Sequence, residues 1–249
     1  MMMANRLPGE SPSPSPETLS VIIPAYNEEA TVAAVLDMVA AVPLNMDVEI
    51  LIVDDGSTDR TAEISRRWAT THAARSRISA RVLSQPNGGK GTAVRCGIAN
   101  SSGDYVIIQD ADMEYDANDY PALLAPLVEG QADVCYGSRV MGPDARGALK
   151  FYLGGRLVTL VTNLLYGSRL TDEPTCYKLF RGDLIRSIPL TCTGFEFCPE
   201  VTAKILRRGL SVVEVPIHYR PRGMGEGKKI RAWDGALACW ELLKWRFRK

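Results

Sequence analysis

The stretch YVIIQDADMEYD, Tyr105–Asp116, places Asp110, Asp112, Glu114 and Asp116 at two-residue steps, just where a run of apolar, β-favouring residues stops. The run reads as a buried strand. Carboxylates crowded at its end repel one another, so something positive has to neutralise them. A hard cation bound by oxygen ligands does this, and magnesium or manganese retains open positions for further oxygens. The plain alternative for so short a pattern is an exposed acidic turn.

Reading outward, two more buried strands precede this one, LSVIIPAY at 19–26 and VEILIVDD at 48–55. ARVLSQ follows as a third strand before YVIIQDAD as the fourth. Helical spacing separates them, in NEEATVAAVLDMVAAV, in STDRTAEISRRWA with Ser57 or Thr58 as its cap, and in GTAVRCGIANS. Strand alternating with helix over short connections predicts a largely parallel sheet. Ligands of such sheets bind beyond the carboxyl ends of the strands, where Asp54-Asp55 and Asp110-Asp112 both fall. The second half is less regular. DVCYGSR, TCYKLFR and LSVVEVPIHY read as strands. KFYLGGRLVTLVTNLLYG reads as an apolar helix interrupted by Gly154-Gly155, and FEFCPEVTAKILRRG as a helix ending at Gly209. A basic, glycine-rich stretch, RPRGMGEGKKIR, leads to an amphipathic helix from about Asp234.

Composition narrows the class. The 249 residues are 46% hydrophobic, enough for one large domain or two closely packed ones. With 29 basic and 29 acidic residues the chain lacks the basic excess of a general nucleic-acid binder. Six cysteines lie far apart with no CxxC pair and two histidines to join them, which argues for reduced thiols rather than zinc. The beginning, MMMANRLPGESPSPSPE, lacks a signal-peptide core and reads as an extended tail. No apolar run approaches the roughly 20 residues that span a bilayer.

Eight segments then fall in order: PAYNEE, DDGSTD, NGGKG and QDADME at the four strand ends, followed by YGSR, TDEPTCYKLFR, GFEFCPEV and PRGMGEGKKI. Each is weak alone. The ordered set resembles the inverting family 2 glycosyltransferases of the GT-A fold, and within them the dolichyl- and undecaprenyl-phosphate sugar transferases, over nearly the whole chain from Leu19. The resemblance implies an α/β fold with a Rossmann-like, mostly parallel sheet flanked by helices. It implies a tail at 1–18, a catalytic domain at 19–232 and a terminal helix at 233–249. The domain divides into a nucleotide-sugar half, 19–116, and an acceptor half, 117–232. It also implies a UDP- or GDP-linked sugar donor, Mg2+ or Mn2+ as cofactor, and a polyprenyl phosphate acceptor met at the cytoplasmic face of a membrane. Pro24, Tyr26 and Glu28 would line the nucleotide pocket. Asp55 would bond the base or ribose, with Asp54 beside it, while Gly89 and Lys90 approach the donor. Asp110 and Asp112 match the family's DxD, which holds the metal on the donor diphosphate. Glu114 stands where relatives carry a third ligand, often Gln. Asp116 reads as a helix cap or a solvated residue.

Competing motifs fail. QPNGGKGT is not a P-loop, because Ser84 occupies the first glycine position and Gly91 follows Lys90. No G-x-G-x-x-G follows the first strand, as a dinucleotide oxidoreductase would require. The Q-x-x-R-W of processive synthases is missing, since Ile64 stands where Arg67-Trp68 would need Gln. A nucleotidyltransferase lacks its G-x-G-T-R segment. A nucleotide-sugar-binding module without turnover remains the non-enzymatic alternative.

A hydroxyl acceptor needs a general base, whereas a phosphate oxygen is already anionic and needs cations to hold it. Arg139, Arg156, Arg222, Lys228 and Lys229 are the candidate cations, with ordinary surface charge as the alternative for Arg156. Arg222 and Lys228 are also assigned to the donor, in a loop that closes over it as a lid. Asp112, Arg139 and Arg222 are assigned to catalysis, and Thr175 to the acceptor site. Asp172, Glu173 and Glu196 are the base candidates for a soluble hydroxyl acceptor. His218 reads as structural, and Trp233, Trp240 and Trp245 as packing residues. Leu237, Trp240, Leu243 and Phe247 recur at three- and four-residue steps beside Lys244, Arg246, Arg248 and Lys249. Such a helix either lies in an anionic interface or packs on the sheet.

Overall fold

Strand β1, Thr18–Ala25, is buried from Leu19 to its end, as a strand covered on both faces must be. It pairs in parallel with β2, Asp47–Asp54, and with β4, Tyr105–Ile108. Strand β3, Ile78–Ser84, pairs in parallel with β2 and alternates in exposure as an edge strand does. The computed structural model describes residues 17–72, 77–143, 149–222 and 232–248. The expected Ser-Pro tail and the lid with Lys228 and Lys229 lie outside these residues.

The sheet has seven strands in the order β3-β2-β1-β4-β6-β5-β7, with β5 at Val134–Ser138, β6 at Lys178–Arg181 and β7 at Val212–Pro216. Strand β6 runs antiparallel to both β4 and β5, and β5 and β7 are parallel. The mostly parallel sheet expected from the sequence is present, with one reversed strand joining its halves. Residues from Leu19 to Ile217 share one continuous core.

Helices α1 (Val32–Ala41), α2 (Thr61–His72) and α3 (Lys90–Asn100) belong to the first half. Both α1 and α2 begin later than their spacing suggests. Neither Ser57 nor Thr58 caps α2. Asp59 accepts from the Thr61 amide at 2.9 Å, while Ser57 and Thr58 bond Asn27 across the loops. Helix α3 lies close on β1 at Gly97, where a Cβ would collide with Ile22.

Two short helices carry no clear signal in the sequence. Tyr120–Val128 (α4) has proline at its start and again at Pro126, and Gly182–Ser187 (α6) has only six residues. Asp116 caps the 3-10 turn before α4, accepting from the Asn118 amide at 3.0 Å. Helix α5, Leu149–Tyr166, runs unbroken through Gly154-Gly155. With α7 (Phe197–Arg207) and α8 (Ala232–Phe247) it forms a second apolar cluster around Val158, Ala203 and Leu242. All six cysteines are unpaired.

Candidate active site

Because β1, β2 and β4 are parallel and in register, Ala25, Asp54 and Ile108 end on one edge of the sheet. Pro24 is buried within β1, and Tyr26 is 37% exposed just beyond it. Asp54 and Asp55 are both buried. Asp55 organises the neighbouring loop: its carboxylate accepts from Gln85 Nε2 at 2.7 Å, Gly88 N at 3.0 Å and Gly89 N at 2.8 Å. Gly89 takes φ 89°, and a Cβ there would strike the Thr193 carbonyl oxygen, so only glycine fits. Sequence reasoning assigned Asp55 to the donor and missed this loop-holding role. Gln85, whose side chain donates to Asp55, was legible only as the last residue of a strand.

Strand β4 stops at Ile108, so the DxD lies in the turn that follows. Buried Gln109 anchors that turn. Tyr120 and Tyr177 donate to its Oε1 at 2.7 and 2.6 Å, and its Nε2 donates to the Asp110 carbonyl at 3.0 Å. Met113 sits at φ 62°, a left-handed conformation costing about 1 kcal/mol. That turn sets Asp112 Oδ1 within 3.2 Å of the Glu114 amide.

Among the described residues, four carboxylates meet two side-chain cations here. Lys90 Nζ lies 2.5 Å from Asp110 Oδ1 and donates to Cys176 Sγ at 3.1 Å. Arg222 Nη2 lies 2.7 Å from Asp112 Oδ2, Nη1 3.4 Å from Glu28 Oε2, and Nε 3.8 Å from Glu114 Oε1. Glu114 also accepts from the Tyr219 hydroxyl at 2.5 Å and the Arg222 amide at 2.9 Å. Burial, then the charges of Asp110 and Glu114, push the Asp112 carboxyl up to about 6 against the opposite pull of Arg222 and Lys90. Among the described residues the carboxylates of the cluster outnumber its cations. Its hard oxygen donors fit a divalent cation of the magnesium or manganese type. Asp110 lies near enough for its charge to raise the Asp112 carboxyl, and the Glu114 carboxylate is bonded to Tyr219 and the Arg222 amide. Among the described residues, no three His, Cys, Asp or Glu side chains already converge as a metal site. A bound ion would take its remaining ligands from outside this set.

In the other half, Arg139 is gripped by buried Asp172 through Nε and Nη2, both at 2.8 Å, and through its amide at 2.9 Å. Burial would raise the Asp172 carboxyl, but Arg139 overrides it and holds the group below the usual carboxylate range. Glu214 fixes the same loop, accepting from the Thr171 and Asp172 amides at 2.6 and 2.9 Å. Arg156 is exposed on α5 and donates to the Thr171 carbonyl at 2.9 Å. Glu196 accepts from the Thr193 and Gly194 amides at 2.8 and 2.9 Å, and these bonds outweigh burial to lower its pKa. Glu173 and Thr175 are fully buried, and neither side chain has a hydrogen-bond partner of good geometry. Burial raises the Glu173 carboxyl despite nearby Lys178. His218 pairs with Asp119 at 2.8 Å, consistent with a structural part.

Comparison with known proteins gives this edge a lineage. Residues 20–188 match the family model for glycosyl transferase family 2. An undecaprenyl-phosphate mannosyltransferase from Micrococcus luteus is 31% identical, over 90% of this chain and 97% of that protein. The low-salt glycan biosynthesis hexosyltransferase Agl6 of Haloferax volcanii is 32% identical over 82% of the chain, which spans about half (48%) of that relative's length. Among solved structures, glucosyl-3-phosphoglycerate synthase from Mycobacterium tuberculosis, in complex with Mn2+, UDP and glucosyl-3-phosphoglycerate, superposes with a TM-score of 0.68. That match covers 92% of this chain and 78% of that one at 23% identity. The same synthase with Mg2+ and UDP matches at 25% identity and a TM-score of 0.65, over 84% and 74%. The fold is the GT-A fold, and the chain belongs to glycosyl transferase family 2.

Proposed function

We propose that this glycosyltransferase moves a sugar, with inversion, from a UDP- or GDP-linked donor to a polyprenyl phosphate at a membrane surface. The observation that carries the lipid acceptor is the exposed apolar face of α5 and α8. Leu153, Leu157, Leu160 and Leu164 follow one side of α5 at 56%, 57%, 54% and 77% exposure. On α8, Trp233, Trp240 and Phe247 are 70%, 62% and 76% exposed. The packing role expected of Trp233 and Trp240 is thus not what the structure gives them; Trp245 does pack, against the α5–α7–α8 cluster. The helices abut, with the Tyr166 hydroxyl donating to the Leu242 carbonyl at 2.6 Å. Large apolar side chains concentrated on adjoining helices are costly in water and suit a lipid interface. Lys244, Arg246 and Arg248 add charge that favours anionic lipid. No helix among the described residues is long and apolar enough to cross a membrane.

On this reading Asp110 and Asp112 hold a magnesium or manganese ion, which neutralises charge on the departing diphosphate. Lys90 and Arg222 supply further positive charge, and the Asp55-bound glycine loop lets the backbone approach the donor. Arg139 and Arg156 orient the acceptor phosphate. That oxygen arrives ionised, so transfer needs no proton acceptor, which accords with Asp172 and Glu196 being engaged elsewhere. The mannosyltransferase relative's name points the same way. The likeness to a synthase crystallised with glucosyl-3-phosphoglycerate supports a second reading, a soluble acceptor. A transfer assay offering polyprenyl phosphate beside phosphoglycerate, free sugars and peptides tests both. Sugar delivered to a soluble hydroxyl but never to the lipid phosphate overturns the proposal.

A further inference from the structure

Arg222 reaches the carboxylates from a distant part of the chain, just after β7, and its position is tightly specified. Its amide is held by Glu114, the preceding Arg220 amide by the Glu114 carbonyl at 2.8 Å, and Tyr219 bridges to Tyr115 across the backbone. Its guanidinium then faces Asp112, Glu28 and Glu114 at once, and its side chain is only 18% exposed. Asp112, Glu28 and Glu114 are similarly sheltered, at 18%, 10% and 10%. Charges so placed are costly to leave unpaired. Lys90 does for Asp110 what Arg222 does for the others. Among the described residues, four carboxylates face these two cations.

We propose that Arg222 is the resident counter-ion of the metal-binding carboxylates, and that a divalent ion and the nucleotide diphosphate must load together to displace it. A divalent ion arriving alone competes with a guanidinium already bonded to Asp112, and brings no anion of its own to receive that guanidinium. A diphosphate arriving with the ion offers the guanidinium a new anion, since arginine pairs with phosphate oxygens as readily as with carboxylate. The arginine moves from carboxylate to phosphate, and the metal takes its place on Asp112. Loading in this order keeps the site from filling with metal in the absence of donor.

The inference rests on the nucleoside diphosphate donor proposed above, but its deciding measurement uses Mn2+ alone. Calorimetry, or electron paramagnetic resonance of free Mn2+, would be run on the wild-type chain, Arg222→Gln and Arg222→Lys without nucleotide. Loss of a charge-assisted pair should tighten Mn2+ binding to Arg222→Gln about tenfold or more. Arg222→Lys, which keeps the charge, should stay near wild type. With UDP or GDP present, wild-type affinity for Mn2+ should rise about tenfold, and in Arg222→Gln this gain should shrink. Equal or weaker Mn2+ binding by Arg222→Gln alone, with an unchanged melting temperature, overturns the proposal. If Mn2+ alone behaves as expected but neither nucleotide affects any of the three proteins, the donor assignment fails and the coupled loading fails with it.

Discussion

Replacing Leu164, Trp240 and Phe247 together by serine should detach the protein from membranes while leaving its fold intact. The three side chains are 77%, 62% and 76% exposed, so little of each contributes to the core. Fully burying a Leu or Phe side chain is worth about 1.5–3 kcal/mol, and scaling by exposure leaves about 1–2 kcal/mol for each residue in an interface. The triple variant therefore loses about 4 kcal/mol, about three orders of magnitude in partitioning. Co-sedimentation with phosphatidylcholine vesicles, with and without phosphatidylglycerol, would read this directly. A companion variant, Arg246→Glu with Arg248→Glu, should weaken binding only to the anionic vesicles, by about 1 kcal/mol or more per residue, and salt should erase the difference. Surface changes of this kind usually alter stability by less than about 0.5 kcal/mol, so the melting temperature serves as the control. If the triple variant sediments with vesicles as the wild type does, the apolar face is not a membrane face and the lipid acceptor loses its main support.

Three other outcomes follow. Asp112→Asn should lower turnover by orders of magnitude with the fold preserved, and excess chelator should do the same to the wild type; full activity in chelator refutes the metal assignment. Arg156→Gln should raise KM for polyprenyl phosphate and leave donor affinity unchanged, and an unaltered acceptor KM would return Arg156 to ordinary surface charge. Glu173 bears on stability: burial raises its carboxyl in the folded state, so the stability present below the ordinary carboxyl range, near pH 4, is lost as pH rises through the raised value. Glu173→Gln should therefore flatten the dependence of melting temperature on pH and gain on the wild type at alkaline pH; a wild type that gains on the variant as pH rises contradicts this.

The first half was legible because its strands carry continuous apolar runs and its paired acidic residues close those runs. Asp54, Asp55, Asp110 and Asp112 could be placed on one edge from β-strand periodicity and parallel connectivity alone. The second half was harder for physical reasons. Helix α4 contains two prolines, and Pro126 suppresses the helical signal although its position in the last turn forfeits little. Strand β6 is four residues long and reverses direction, which no local pattern announces. Pairings such as Arg222 with Asp112, or Tyr219 with Glu114, join residues over a hundred positions apart. The sequence supplies the charges but not their partners. For Trp240 the sequence leaves packing and an interfacial face both open, since helical spacing marks an apolar face without saying what covers it; the structure leaves this side chain exposed.

What connects that face to the sheet edge is the segment from Leu170 to Cys176. Asn163 of α5 binds its start, donating to the Leu170 carbonyl at 2.8 Å, and the chain then turns back along the helix. Arg156 meets the Thr171 carbonyl, the Thr159 hydroxyl accepts from the Glu173 amide at 3.0 Å, and Pro174 would contact a Cβ on Gly155 at 3.4 Å. On its other side the segment presents Asp172 to Arg139. It ends with the Cys176 thiol beside Lys90, which holds Asp110. On the proposed reading, a lipid lying along Leu153, Leu157 and Leu160 would bring its phosphate to the level of Arg156, one short segment away from the cations and carboxylates assigned to the donor. The same geometry explains why charge is so closely paired here. On the proposed reading donor and acceptor are both anions, and a site of carboxylates receives them only because cations such as Lys90 and Arg222 are already there to be shared or released.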